Sequence, residues 1–300
     1  MKNKSMIGNI ILLLVAAIWG TAFVFQRIGM DSIQPVTFTA ARMSLAAVAV
    51  SLVAALGNKG VPEGVTERQY NRNSVLGGLC CGFFLVTASI LQQIGIVTTS
   101  AGKAGFITAM YILIVPVLGA VIFKRRNSWH VWLSVTMGVA GLYLLCMTGS
   151  LRLERGDALI CVCAVLFSGH ILCIDRFVAK GNPVRIAAIQ FTVTALVSWV
   201  LAFIMESPGI EQIKTAVIPI LYCGLVSGGV GYTLQVVAQK YTEPTVASLL
   251  MSLEAVFAAT AGALILHERM TGREVLGCAI MFTAIIIVQL PGGKTVSSKE

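Results

Sequence analysis

Ten apolar runs of about 20 residues each dominate this sequence and limit what it can fold into. They cover residues 7–26, 35–56, 75–96, 103–123, 129–147, 157–175, 184–204, 215–238, 245–266 and 273–290. A bilayer core about 30 Å thick needs roughly 20 apolar residues, because each residue of an α-helix advances it by about 1.5 Å. The pattern therefore predicts an all-α integral membrane protein with ten transmembrane helices. The short polar connections leave no room for a soluble domain.

The composition indicates that lipid is the main solvent of this chain. Hydrophobic residues make up 57% of the 300 residues and charged residues 12%, whereas soluble domains have roughly 45–50% apolar and about 25% charged residues. The eight cysteines lie inside apolar runs and show no metal-ligand spacing. We interpret them as apolar packing residues, and we expect no metal and no cofactor.

The basic residues predict the orientation of the chain. The net charge is +9, and with the N-terminus inside, fourteen Lys and Arg residues lie in inner connections and seven in outer ones. This is the positive-inside pattern, not a nucleic-acid-binding surface. We expect a multi-pass protein of the cell (plasma) membrane with both termini cytoplasmic. The first run follows Lys2 and Lys4, but nine further spans favour a retained helix over a signal peptide.

The chain also aligns with itself. An offset of 148 residues brings Pro35 onto Pro183, and an offset of 143 brings Gln92 onto Gln235. The second offset also makes Tyr111 the equivalent of Glu254. The sequence therefore contains two related halves.

Each half contains five of the predicted helices. Because five is odd, the second half must enter the membrane in the opposite orientation, which makes the two halves inverted repeats. We expect the first repeat in residues 1–147, with helices one to five, and the second in residues 148–300, with helices six to ten. Secondary transporters commonly have this arrangement, and their substrate site lies near the midplane between the repeats.

Residues 252–259, 267–271, 19–23 and 35–42 form four stretches that resemble motifs of EamA-type transporters, which belong to the drug/metabolite transporter superfamily. Residues 252–259, with the sequence SLEAVFAA, and residues 267–271, HERMT, are similar to the region that ends the second repeat of these proteins. Residues 19–23, WGTAF, resemble a motif of their first helix, and the stretch from Pro35 to Arg42 resembles one of their second. The resemblance covers essentially the whole chain and implies a ten-helix membrane permease.

The sequence departs from the family pattern in two places. Ala255 stands where the family has a proline after Glu254, and Lys124-Arg125-Arg126 replaces an acidic turn in the first half. Proline breaks the backbone bonding of a helix. We therefore expect Ala255 to straighten the ninth helix.

Glu254 is the single residue of the sequence that most strongly indicates a functional site. It is the tenth residue of the run 245–266, so it lies about 15 Å deep, near the bilayer centre. An acidic side chain there costs on the order of 2.5–3.5 kcal/mol, so it should face a cavity or a partner. Two interpretations have equal weight: a ligand for a substrate ammonium group or a proton, and a structural hydrogen bond to a neighbouring helix.

Two further polar residues lie deep in apolar runs. Arg42 is suited to hold a substrate carboxylate with two hydrogen bonds, although snorkelling or a bond to a backbone carbonyl is the favoured interpretation. His170 is suited to gate a proton, although a packing histidine with a satisfied hydrogen bond is slightly favoured. Tyr111 places a phenol opposite Glu254 across the pseudo-axis. The predicted substrate pathway consists of Trp19, Gln26, Arg42, Gln92, Tyr111, His170, Tyr232, Gln235 and Glu254.

These features favour a secondary transporter, a permease or exporter, that moves a small polar or zwitterionic metabolite such as an amino acid by alternating access. A proton-coupled multidrug antiporter is the alternative. Residues 7–26 contain none of the acidic residues that its small relatives carry in their first helix, but Glu254 is able to do the same work. We expect a small-molecule substrate, the proton as a candidate coupling ion, a surrounding lipid bilayer, no nucleic acid, and a monomer or weak dimer.

An intramembrane enzyme is the least favoured class. His267-Glu268 lacks the second histidine of a zinc-binding HExxH motif, and Ser227 lacks the glycine that a GxSG nucleophile turn requires. The sequence therefore predicts a protein without enzymatic activity.

Overall fold

Packed helices make up the described part of the chain, which contains no β-strand. The computed structural model describes residues 2–57, 61, 63–98, 101–124, 127–146, 155–265 and 271–289. The motif residues 267–270 and the basic pair 125–126 lie outside these ranges.

The first half contains six helices and the second half the remainder. The helices of the first half are α1 (Lys2–Gly29), α2 (Pro35–Leu56), α3 (Glu67–Thr98), α4 (Ala101–Ala109), α5 (Tyr111–Phe123) and α6 (Trp129–Cys146). Those of the second half are α7 (Arg155–Val178), α8 (Pro183–Met205), α9 (Ile210–Thr215), α10 (Val217–Leu221), the π-helix Tyr222–Tyr232, α11 (Thr233–Gln239), α12 (Pro244–Met251), α13 (Glu254–Ile265) and α14 (Gly272–Gln289).

Eight helices in the described ranges are long and apolar enough to cross a membrane. They are Ser5–Gly29, Pro35–Leu56, Glu67–Thr98, Ala104–Phe123, Arg155–Val178, Pro183–Met205, Val217–Gln239 and Pro244–Ala261. The fifth predicted run forms the shorter apolar helix Trp129–Leu145, and the tenth coincides with α14. The prediction of an all-α membrane protein is thus confirmed at the level of a multi-pass helical fold.

The helix α2 is capped from the other half of the chain. Both α2 and α8 begin with a proline, whose fixed φ suits the first helical position. Asn182 caps α8 locally, because its Oδ1 accepts hydrogen bonds from two N–H groups of the first turn. For α2, the Glu206 carboxylate at the end of α8 accepts hydrogen bonds from the backbone N–H groups of Val36, at 2.8 Å, and Thr37, at 2.7 Å. This cap fastens the end of one helix to the start of the other.

Helix packing joins the two halves around one core. The helix α2 packs against α8, and α6 packs against α14. Other contacts occur in corresponding pairs when the two halves are exchanged. The helix α3 packs against α7, and α1 correspondingly packs against the π-helix and α11. Likewise, α5 packs against α7, and α1 packs against α13. Buried side chains of both halves belong to the same apolar cluster.

Two apolar runs are interrupted near their middle. Met110 separates α4 from α5, and Ser252 and Leu253 separate α12 from α13. The N–H groups of Met110 and Leu253 bond to carbonyls three residues back, at 3.2 and 3.3 Å, which tightens the helix locally.

The prediction that Ala255 straightens the ninth helix is therefore wrong. The N–H of Ala255 bonds to the Ser252 carbonyl at 3.2 Å, again three residues back. The Ser252 hydroxyl in turn donates to the Leu249 carbonyl at 2.8 Å. A serine hydroxyl that competes for a helix carbonyl in this way favours a bend even without proline.

Candidate functional site

The two helix interruptions bring Tyr111 and Glu254 together. Tyr111 is the first residue of α5 and Glu254 the first of α13, and each side chain is only 3% exposed. The Tyr111 hydroxyl donates a hydrogen bond of 2.9 Å to Glu254 Oε1. The phenol that the self-alignment predicted opposite the carboxylate thus contacts it directly.

All nine predicted pathway residues line one central cavity. About 40 Å³ of this cavity is accessible to water-sized molecules, so the cavity is narrow in the state that the structure shows. The other lining residues are Ala22, Phe23, Thr108, Phe167, Ile171 and Ser227. The structure therefore brings together residues from α1, α2, α3, α4, α5, α7, the π-helix, α11 and α13.

Arg42 is part of the cavity wall, and its side chain does not reach the surface of the protein. Its side chain is 4% exposed, and its guanidinium carbon lies 5.6 Å from the centre of the Phe38 ring, which is a cation–π distance. Within the described part of the chain it forms no ion pair with a carboxylate, and its Nε has no hydrogen-bond partner. The snorkelling interpretation of Arg42 is therefore wrong, because the side chain is buried and lines the cavity.

Aromatic rings form one wall of the cavity. The Trp19 and Tyr232 ring centroids are 4.6 Å apart, and the His170 ring packs edge-on against Tyr232 at 6.0 Å. The indole N–H of Trp19 donates to the backbone carbonyl of Ser227 at 3.3 Å. These contacts hold the rings in place and give the cavity a rigid apolar surface.

Amide side chains supply hydrogen-bonding groups around the cavity. Gln92 Nε2 donates to the Thr108 hydroxyl at 3.2 Å. By contrast, the buried Oε1 atoms of Gln26 and Gln235 have no hydrogen-bond partner among the described residues. Such acceptors usually have a partner when they are buried. They are suited to accept hydrogen bonds from a polar ligand.

His170 is fully buried and contacts a side chain of the neighbouring helix α8. Its Nε2 lies 3.0 Å from Gln190 Oε1, and Gln190 occupies the position equivalent to Arg42 in the self-alignment. The Nδ1 of His170 has no partner in the described ranges. The contact to Gln190 agrees with the packing interpretation, and Nδ1 is the ring nitrogen that is free to bond a ligand.

Glycines allow the helices around the cavity to approach closely. A Cβ on Gly20 would lie 2.6 Å from the backbone oxygen of Glu254 and 2.5 Å from Phe257 Cβ. A Cβ on Gly231, in the π-helix, would lie 2.8 Å from Trp19 Nε1. The π-helix Tyr222–Tyr232 belongs to a class of distortion that is frequent at functional sites.

Six lining residues were not among the predicted pathway residues. Phe167 is the repeat equivalent of Trp19, so the self-alignment contained a signal for it. Thr108 lies three residues before Tyr111 in the predicted run 103–123, and this spacing would place both residues on one face of a continuous helix. Ser227 contributes its carbonyl to Trp19, and no sequence signal marks a backbone group.

The fold and this cavity define a multi-pass helical membrane protein with a polar chamber lined by both halves of the chain. The chain belongs to the EamA-like transporter family, whose model matches residues 6–147 and 154–290. The resemblance that the sequence motifs indicated is thus confirmed.

Similar proteins are transporters by name. An uncharacterized transporter of Archaeoglobus fulgidus is 27% identical over 291 residues, covering 96% of this chain and 87% of that protein. The uncharacterized transporter YoaV of Bacillus subtilis is 22% identical over 294 residues, covering 95% of this chain and 96% of YoaV. A solved crystal structure with 14% identity superposes with a TM-score of 0.77 and covers 97% of this chain and 98% of that one, which shows a shared fold. The family and the names of the relatives point to a membrane transporter rather than an enzyme.

Proposed function

We propose that this protein is a secondary transporter that carries a small zwitterionic metabolite, an amino acid in the simplest case, by alternating access. The observation that carries the proposal is that one central cavity contains both a buried cation, Arg42, and a buried carboxyl group, Glu254. The two groups do not form an ion pair with each other, and Glu254 accepts a hydrogen bond from Tyr111.

Buried charged groups are costly in a membrane protein unless neighbouring groups satisfy them, and neither Arg42 nor Glu254 has an oppositely charged partner among the described residues. A zwitterion supplies the missing partner to each side: its carboxylate binds Arg42, whose planar guanidinium suits two parallel hydrogen bonds, and its ammonium group binds Glu254. The free oxygens of Gln26 and Gln235 are suited to accept further hydrogen bonds from the ammonium group. The aromatic wall is suited to contact the rest of the molecule.

Alternating access is supported by the symmetry of the helix contacts. Most of the main contacts between helices have a counterpart when the two halves are exchanged, for example α3 with α7 and α1 with the π-helix and α11. The family model matches two consecutive stretches of similar length. We therefore infer ten transmembrane helices in two inverted repeats, residues 1–147 and 148–300, with the cavity at their junction.

The test is counterflow of labelled amino acids in proteoliposomes. Vesicles loaded with one unlabelled amino acid should accumulate the labelled form transiently, since an alternating-access carrier exchanges substrate across the membrane. For the amino acid that is transported, Arg42→Gln should reduce counterflow about tenfold or more, because a charge-assisted hydrogen bond contributes about 1.5–3 kcal/mol. Arg27→Gln is the matched control, because Arg27 is exposed at the end of α1. Absence of counterflow for every amino acid, with correctly folded protein, would contradict the proposal.

The multidrug antiporter remains a second candidate because the cavity combines Trp19 and Tyr232 with the carboxyl group of Glu254. Aromatic faces and a carboxylate are suited to bind lipophilic cations. Arg42 disfavours this function, since its positive charge lies in the same cavity. Proton-driven uptake of tetraphenylphosphonium, without amino acid counterflow, would favour the antiporter.

We also propose that both termini are cytoplasmic, and cysteine labelling tests this orientation. Arg68, Lys180, Arg155 and Glu211 are all exposed, so cysteines at these positions are open to a membrane-impermeant maleimide. In intact cells, the reagent should label cysteines at 155 and 211 but label those at 68 and 180 only after the membrane is opened. Labelling of position 155 from the cytoplasmic side alone would contradict the inverted arrangement.

A further inference from the structure

A thiol cluster lies where α3 of the first half packs against α7 of the second. The Sγ atoms of Cys81 and Cys173 are 3.4 Å apart. Cys81 is fully buried, Cys173 is partly exposed, and the exposed Cys80 precedes Cys81 in the chain. No disulfide joins them, and the sequence alone suggested only packing residues.

The backbones of the two helices approach closely next to this cluster. A Cβ on Gly77, one turn before Cys81, would lie 2.6 Å from Phe177 Cβ, and Phe177 is one turn after Cys173. The glycine therefore keeps the antiparallel helices near each other. To form a disulfide, the two Sγ atoms would have to approach each other by about 1.4 Å, because the bond length is about 2.05 Å.

We propose that Cys81 and Cys173 form a redox-sensitive pair whose disulfide ties the two halves of the protein together. With a hydroperoxide as oxidant, the more exposed Cys173 sulfur attacks the peroxide oxygen, the O–O bond breaks, and the thiol proton goes to the departing alcohol or water. The resulting sulfenic acid is then attacked by the Cys81 sulfur, which forms the S–S bond and releases water. Two thiols lose two electrons, and one peroxide bond is reduced.

The disulfide has a mechanical consequence that rests on the proposed function. If α3 and α7 move relative to each other when the cavity opens to alternate sides, a covalent bond between them holds the protein in one state. Oxidation should therefore stop counterflow, and reduction should restore it. Formation of the bond itself does not depend on transport.

The test uses the full chain with a protease site inserted between residues 147 and 154. After cleavage in membranes and treatment with hydrogen peroxide, the two fragments should migrate together on a denaturing gel without reductant. They should separate after dithiothreitol. Cys81→Ser and Cys173→Ser should each abolish the joined band, whereas Cys161→Ser, at an exposed position of the same helix α7, and Cys80→Ser should keep it.

Three outcomes distinguish the possible failures. Fragments that separate after oxidation of the native protein, or a joined band that persists in Cys81→Ser, would overturn the assignment of the pair. A joined band with unchanged counterflow would overturn the locking of the two halves. Absence of counterflow before oxidation would instead contradict the proposed function and leave the gel result as a separate test of the disulfide.

Discussion

Glu254→Gln should reduce transport about tenfold or more while leaving the folded protein in the membrane. The amide keeps the Oε1 acceptor, so the 2.9 Å hydrogen bond from Tyr111 persists and the start of α13 stays in place. What is lost is the negative charge, which contributes about 1.5–3 kcal/mol to a charge-assisted hydrogen bond with an ammonium group, and the ability to carry a proton. The measurement is counterflow in proteoliposomes that contain equal amounts of folded protein.

The same substitution at Glu243 is the matched control for this prediction. Glu243 precedes α12 and lies just outside the apolar run 245–266. It is exposed and makes no side-chain cap, so Glu243→Gln should transport normally. Tyr111→Phe should have an intermediate effect, because it removes the hydrogen-bond donor but keeps the charge. Normal transport by Glu254→Gln would show that Glu254 has only a structural role, the hydrogen bond to a neighbouring helix that was the other interpretation of the sequence.

Gly20→Ala should lower the free energy of unfolding by about 1–3 kcal/mol, which is the usual cost of overpacking a core. The added Cβ would lie 2.6 Å from the Glu254 carbonyl oxygen and 2.7 Å from the Ala258 nitrogen. Backbone atoms cannot rotate away as a side chain can, so α1 and α13 must separate. Thermal unfolding of the detergent-solubilised protein measures the change.

Gly105→Ala makes the same chemical change in α4, where a Cβ meets no atom within 4 Å. This variant should be neutral or stabilise the helix by about 0.5–1 kcal/mol, because alanine loses less backbone entropy than glycine. Equal melting temperatures for the two variants would show that the close approach of α1 to α13 contributes nothing. Because Glu254 begins α13, we also expect Gly20→Ala to reduce transport.

The helical elements were predictable because the requirement behind them is local. A run of apolar residues must span the bilayer whatever its neighbours do, and every predicted run coincides with one helix or with two or three consecutive helices. The candidate residues were predictable for a related reason. A polar group inside an apolar run avoids lipid by facing the interior, so residues such as Gln26, Gln92 and Gln235 line the cavity. Their role in transport remains a prediction.

The structure departs from the sequence predictions at Arg42 and in the ninth helix, and the two departures have different physical causes. Arg42 lies in the cavity wall beside Phe38 and does not extend to the membrane surface, because the rotation of α2 is set by its packing against α8 and the π-helix. In the ninth helix the cause is local. The helix breaks before Glu254 although Ala255 replaces the family's proline. Hydrogen bonds within residues 249–255 decide that bend, and their geometry is not encoded in hydropathy.

The sequence by itself determined the solvent, the approximate spans, the family and the set of polar residues that must face inward, because each of these depends on residue type and spacing along one helix. Only the tertiary structure decided which of these groups meet. The hydrogen bond from Tyr111 to Glu254 and the contact of Cys81 with Cys173 join helices that lie 143 and 92 residues apart in the chain. Pairing at such separations depends on how helix surfaces fit together, and the polarity of a single run carries no information about that fit.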